Sequence, residues 1–445
     1  MDYVQLTDDN VAKMLATIGV NRVADLFRDI PEAHRLDRAL DVPPAMSEVG
    51  LLEELGRLAD ANHHCGERIC FLGGGAYDHF IPTVVDDLSG QSEFVTAYTP
   101  YQAEASQGSL QAFYEYQTLI CQLTGMDVSN ASLYESASAL AEAVLMARSV
   151  NGRKRVLISA ATHPDFRAVL DTYATDLPLE PVEIATVDGL TDLDDLTRAI
   201  NEGVTAVVVQ SPNVFGCTER LDLAAEIAHG AGALLIAAVD PISCGLLKSP
   251  GDLGADIVVG EGQPLGIPMA YGGPYLGFLA CREKYVRKMP GRLVGATHDA
   301  SGRRGYCLTL QTREQHIRRE RATSNVCTNQ GLLALRAAIY LSAMGRRGLS
   351  RVASLCLDKA HYTANRIAEL DDFALAFSAG FFKEFVVRTA KDVPTVLEHC
   401  RDRNILAGIP LAPWYDALAD CFLVAVTEKR SRAQIDALVD ALATA

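Results

Sequence analysis

The sequence predicts an α/β protein. A large domain with a doubly wound, mostly parallel sheet is expected, with an N-terminal helical arm before it and a small α+β C-terminal domain after it. Between residues 155 and 282, short and nearly continuous apolar runs alternate with amphipathic segments. Such runs are strands buried on both faces, and the right-handed crossover rule makes the sheet doubly wound. Residues 1–70 carry helical periodicity, and residues 330–445 mix helices with strand patterns, which sets the expected domains at 1–70, 71–329 and 330–445.

In chain order, "TDDNVAKMLATIGV" offers Thr7 and Asp8 as caps, an apolar face of Val11, Met14, Leu15 and Ile18, and Gly19 as a stop. This arm is of the kind that wraps a neighbouring subunit. "FLGGGAYDHFIP" and "TAYTPYQAEASQGSLQ" lack either period and read as site or interface loops. A helix is expected from Leu110 to Gly125. Strands follow at "RVLISA", "PVEIATV", "VTAVVVQSP", "ALLIAAV", "ADIVVGEG" and "YLGFLACR", with helices between the earlier ones. "GLLALRAAIYLSAMG" is a long helix, "FKEFVVRT" and "CFLVAVTE" are strands, and "AQIDALVDALA" is a closing helix.

Composition narrows the function. A net charge of −16 argues against a general nucleic-acid binder. The longest strongly apolar run, Ala233 to Val239, is too short to span a bilayer, and no basic-then-apolar leader opens the chain, so a cytoplasmic protein is expected. Eleven scattered cysteines read as reduced thiols, and no metal-ligand spacing occurs. Residues 282–321 hold eleven Lys/Arg against four Asp/Glu, either as a solvated basic face or as a docking surface.

Several residues are site candidates. Asp240 lies just beyond the apolar strand "ALLIAAV", where open α/β sheets bind ligands. It could pair with the protonated ring nitrogen of pyridoxal phosphate, or simply open the next turn. Ser136 and Ser138 begin a helix and suit either a phosphate or a plain cap. His163 could stack on a cofactor ring or belong to the cap before Pro164. Tyr98, Thr99, Pro100, Tyr101, Gln102, Glu104 and Gln107 fit a ligand-pocket wall or a subunit interface. Arg318, Arg319 and Arg321 could bind anions or form interface salt bridges, and Thr323, Ser324 and Asn325 could cap a helix or hold a phosphate.

Together, Phe71–Pro82, Thr96–Gly108, Gly262–Gly277 and Arg318–Gln330 resemble the glycine-cleavage P-protein family, in its N-terminal half. The resemblance runs over nearly the whole chain. It implies a pyridoxal-phosphate fold-type-I architecture and pairing with a homologous, lysine-bearing subunit, in an α2β2 assembly. It also implies glycine as substrate and a lipoylated H-protein as acceptor of the aminomethyl group once carbon dioxide has left. Aligned on Ile267-Pro268, the family's His-Lys pair falls on Gly262 and Gln263. Glutamine has no nucleophilic amine, so pyridoxal phosphate is expected to be bound covalently by the partner and not by this chain. By resemblance, Ser136, Ser138, His163, Asp240 and Gln263 would form a vestigial cofactor pocket. The tyrosine loop would be an active-site wall and the Arg318–Asn325 stretch an H-protein dock. The alternatives are a non-catalytic scaffold or regulatory subunit and a stand-alone pyridoxal-phosphate enzyme using another lysine such as Lys248, which precedes the "GDLGADIVVG" strand rather than following it.

Overall fold

The computed structural model describes residues 6–36, 38–96 and 98–445. These form two compact units, Met1–His63 and His64–Ala445. In the first, helix α1 (Asp8–Ile18) starts where the Thr7 side chain accepts the Asn10 N–H and stops at Gly19, whose φ of 87° suits glycine. Helix α2 (Glu48–Asp60) is capped by Ser47. Neither helix buries a residue. The apolar face of α1 forms as expected, but finds no core. Residues 1–5 lie outside the described residues.

The second unit is built on a seven-stranded sheet. In chain order its strands are β1 (Val128–Ser129), β2 (Arg155–Ser159), β3 (Glu180–Ile184), β4 (Val204–Ser211), β5 (Leu234–Val239), β6 (Ile257–Glu261) and β7 (Gly277–Cys281). Their spatial order is β1-β7-β6-β5-β4-β2-β3. From β6 to β3 all neighbours are parallel, whereas β7 pairs antiparallel with both β6 and β1. The "YLGFLACR" strand therefore turns back at one edge.

Alternation within the strands explains their continuous hydrophobicity. Leu157, Val207, Leu235, Ala237 and Val258 enter one core, while Val156, Ile158, Val208, Ile236 and Val259 enter another on the opposite face. Helix α3 (Gln107–Thr124) packs on the first core and α4 (Ser136–Asn151) on the second.

Toward the C-terminus, strands β8 (Phe373–Leu375), β9 (Glu384–Thr389), β10 (Ile409–Pro410) and β11 (Cys421–Ala425) form an antiparallel sheet over a third core. The long helix α5 (Gly331–Ala368), kinked at Gly345, joins the two regions. Its Ala334 and Ala337 belong to the first core and its Ala360 and Ile367 to the third. Ile69 and Cys70, expected with the arm, pair in parallel with Ile405 and Leu406. Among the described residues no helix is long and apolar enough to cross a membrane.

Candidate functional site

The C-terminal ends of β4, β5 and β6 open toward the small sheet, and residues 71–82 are drawn across the gap as a strap. Gly73, Gly74 and Gly75 make this possible. Gly74 and Gly75 have φ of 72° and 107°, and a Cβ on Gly73 would run into the Glu384 carboxylate and Ala425. The Gly74 N–H and the Tyr77 hydroxyl each donate to Glu384, at 2.7 Å. Further along, Asp78 takes ion pairs from Lys429 and Arg430. His79 Nδ1 lies 2.6 Å from Glu428, which also accepts the Phe80 N–H. The strap is thus fastened at both ends to the small sheet's side of the gap.

Gln263 fastens it to the other side. Its carbonyl accepts the Tyr77 N–H at 2.9 Å, and its amide donates to the carbonyls of Tyr77 and Ile267 at 3.0 and 2.8 Å. At 1% exposure, Gln263 is a buried clamp with its amide fully used, and it does not line the cavity. Of the expected vestigial pocket residues, Ser136 and Asp240 line the cavity that remains, and Gln263 lies behind it as part of the strap's fastening.

What remains of the crevice is a cavity of about 30 Å³, lined in part by Tyr77, Ser136, Asp240, Glu261 and Lys383. Asp240 is where it was expected, with Oδ1 accepting the Ile242 N–H at 3.0 Å. Its Oδ2 contacts the ammonium of Lys383 at 2.8 Å, as an ion contact outside hydrogen-bond alignment. Lys383 precedes β9 and is 2% exposed. Its Nζ also lies 3.1 Å from His79 Nε2 and 3.4 Å from the Tyr77 ring centroid. An ammonium only donates, so His79 accepts at Nε2 and carries its proton at Nδ1 toward Glu428. Sequence reasoning missed Lys383 because "FKEFVVRT" gives no sign that this side chain points back into another domain. Lys248, the alternative lysine, is exposed and outside the cavity.

The helix α4 N-terminus is also occupied from within. Glu261 accepts backbone N–H groups from Ser136, Gln263 and Leu276 at 3.1, 3.1 and 2.8 Å. Glu135 accepts the Ser138 N–H, so Ser138 serves as part of a cap. Burial lifts Glu261 to about 7 although these donors favour its charged form. Burial likewise raises Glu384 to about 7, against the pull of Gly74, Lys383 and Tyr77. Burial would raise Glu428 too, but the His79 hydrogen bond and backbone donors hold it below the usual carboxylate range. His163 Nδ1 accepts the Asp165 N–H, and its Nε2 bonds to the Gly74 carbonyl at 2.9 Å. Because Nδ1 accepts, the ring proton sits on Nε2 toward the Gly74 carbonyl, and burial lowers the pKa in the same sense; the ring is not among the cavity's lining residues.

Pyridoxal phosphate does not fit these residues. The cavity is far below the roughly 300 Å³ of a ligand pocket. The ring nitrogen's partner is taken by Lys383, and the helix donors are taken by carboxylates. His79, Cys356 and Glu428 place ligand-type atoms within 4.8 Å of one another, but His79 and Glu428 are spent on each other.

A second site lies on the outside. Tyr98, Thr99 and Pro100 line a cavity of about 190 Å³ with Ser109, Phe113, Arg292, Asn329 and Leu332. Tyr98 is 86% exposed and Tyr101 70%. Tyr101, Gln102 and Glu104 lie on the same loop, exposed and outside the lining. Gln107 does not line it either, because its side chain is hydrogen-bonded to the Tyr306 backbone in both directions. Arg292 was not foreseen. Its guanidinium donates to Asn329 at 2.7 Å and to the Cys327 carbonyl at 3.4 Å, and keeps further donors.

The Arg318–Asn325 stretch leads into this cavity's edge at Asn329. Arg318, Arg319 and Arg321 are exposed, and Arg321 approaches Glu320 at 3.7 Å. Ser324 accepts the Val326 N–H, Thr323 is half-buried and Asn325 is exposed. Asn329 and Gln330 hold the turn before α4 by bonding to Ala131 and Ser132.

Comparison with known proteins gives one consistent answer. The family model described as glycine cleavage system P-protein matches residues 1–442. A "probable glycine dehydrogenase (decarboxylating) subunit 1" of Desulforamulus reducens is 52% identical over 439 residues, covering 98% of each chain. A protein of the same description from Desulfitobacterium hafniense is also 52% identical, covering 99% of this chain and 98% of its own. A crystal structure described as glycine decarboxylase (P-protein) of the glycine cleavage system, in inhibitor-bound form, superposes with a TM-score of 0.92 at 43% identity, covering all of both chains. A cysteine desulfurase from Thermococcus onnurineus matches at a TM-score of 0.62 and 18% identity, covering 85% of this chain and 94% of its own, which shows the shared fold alone. The chain belongs to the glycine cleavage system P-protein family.

Proposed function

We propose that this chain is the subunit of a heteromeric glycine decarboxylase that lacks the cofactor lysine, and that it completes the active site of a homologous subunit that carries it. The observation that supports this most is the pairing of a filled inner crevice with an open outer cavity edged by exposed tyrosines. Relatives of matching length named as a "subunit 1" accord with it.

In the assembled enzyme, pyridoxal phosphate on the partner supplies the electron sink for glycine decarboxylation. This chain's work is to bind, orient and shield. Tyr98, Thr99, Pro100, Arg292 and Asn329 would close the far wall and exclude water, with Tyr101, Gln102 and Glu104 beside them. The exposed Arg318, Arg319 and Arg321 would dock the acidic surface of a lipoylated H-protein, with Thr323, Ser324 and Asn325 beside them. The uncovered apolar face of α1 suits an arm laid on a neighbouring subunit in an α2β2 assembly. Eleven unpaired cysteines accord with a cytoplasmic setting.

Reconstitution tests the reading. The purified chain alone should show no glycine–bicarbonate exchange, and adding the lysine-bearing subunit should restore it. Exchange by this chain alone would overturn the proposal. Restoration that survives loss of Tyr98 and Arg292 would leave only a scaffolding role.

A further inference from the structure

Asp240 directly follows β5 inside the crevice, and with only 9% of its side chain exposed its carboxylate demands a cationic partner. Lys383 supplies it from across the gap, within a cage of three unlike groups. The Asp240 carboxylate lies 2.8 Å from Nζ, His79 Nε2 lies 3.1 Å away, and the Tyr77 ring face lies beneath at 3.4 Å. Carboxylate, imidazole and aromatic face together make a receptor for an organic cation. Each wall is fixed independently: Tyr77 by Gln263 and Glu384, His79 by Glu428, and Asp240 by the Ile242 N–H.

We propose that the crevice is a cofactor site filled from within. Lys383 stands against Asp240 as a built-in counter-ion, and removing its side chain exposes a preformed site for a small organic ammonium ion. Lys383 on Asp240 already supplies the cation that a bound ring would bring, and Glu261 and Glu135 already accept the N–H groups at the start of α4 that its anion would take. The residual 30 Å³ is the space of about one water molecule. The Lys383–Asp240 contact also joins the small sheet's side of the gap to the large sheet, so the same ion pair holds the two together.

Chemical rescue tests this on the isolated full-length chain, without the partner subunit, so its outcome is separate from reconstitution. The Lys383→Ala chain should melt several degrees below wild type. n-Propylammonium chloride at tens of millimolar should recover a large part of that loss. Sodium chloride at equal ionic strength and 1-propanol should not, and wild type should not respond. Should Lys383→Ala fail to fold, the pair Lys383→Met and Lys383→Met/Asp240→Asn decides. The double variant should fold and melt closer to wild type than the single one. The proposal is overturned if Lys383→Ala melts with wild type, if propanol rescues as well as propylammonium, or if removing both charges is no better than removing one. Uptake of pyridoxamine phosphate into the wild-type crevice would overturn it as well.

Discussion

The inner crevice and the outer tyrosine face use polar residues in opposite ways. Inside, Lys383, Asp240, His79, Glu428, Glu384 and Tyr77 are all engaged with one another, and almost no space is left. Outside, Tyr98 and Tyr101 stand in solvent beside a larger cavity, and Arg292 keeps donors in reserve. A buried set of satisfied charges fixes a geometry, whereas an exposed aromatic edge with spare donors waits for something to cover it. The difference teaches that this chain's own side chains fill the fold's usual ligand position, and the proposed function accordingly assigns recognition to the outer face.

The sharpest way to break this contrast is to unbalance the inner site. Asp240→Ala leaves the Lys383 ammonium buried without its carboxylate and should cost roughly 3–5 kcal/mol in urea unfolding. A cost below about 1 kcal/mol would mean that Lys383 is solvated and the crevice open.

Next comes pH. The native state binds the Glu261 proton up to about pH 7, while the unfolded chain releases it near 4.5. Stability should therefore fall as pH rises between those values, by on the order of 1–3 kcal/mol from this residue, and stay level above them. Glu142 and Glu384, also lifted to about 7 by burial, act in the same direction. Glu261→Gln should flatten the dependence of melting temperature on pH between 5 and 7.5, and an unchanged slope would place the Glu261 carboxyl in solvent.

On the outer face the signs invert. Tyr98→Ala should change the chain's own stability by less than about 0.5 kcal/mol, because the side chain is exposed. It should weaken pairing with the lysine-bearing subunit by about tenfold, measured by titration calorimetry. Stability loss without a change in pairing would reverse the roles of the two regions. The smallest effect is expected at Arg318 and Arg319. Neutralising both should raise the apparent KM for H-protein a few-fold at low salt, with the difference shrinking as salt screens it.

The sequence carries much of this and hides the rest for physical reasons. Strand and helix placements followed from local signals: the alternating cores of β2 to β6, the Thr7 and Gly19 caps of α1, and Pro164 at the first position of its helix. Asp240 was legible because a carboxylate at the end of a buried strand is conspicuous. The absence of a lysine at Gln263 was legible too. What Gln263 does instead was hidden, because its partner Tyr77 lies 186 residues away in the chain. Lys383 and Arg292 were hidden for the same reason, since their contacts join segments far apart. Gln107 misled by its company in the tyrosine loop, because the Tyr306 backbone that claims it belongs to a distant strand.

The most direct measurement is the location of the cofactor in the assembled enzyme. Borohydride reduction of the two-subunit complex, followed by peptide mapping, should find the reduced pyridoxyl group on the partner subunit. All nine lysines of this chain, Lys383 and Lys248 among them, should be unlabelled. Label approaching one equivalent on Lys383 or Lys248 would contradict the account, because it would show that the crevice opens to a cofactor of its own.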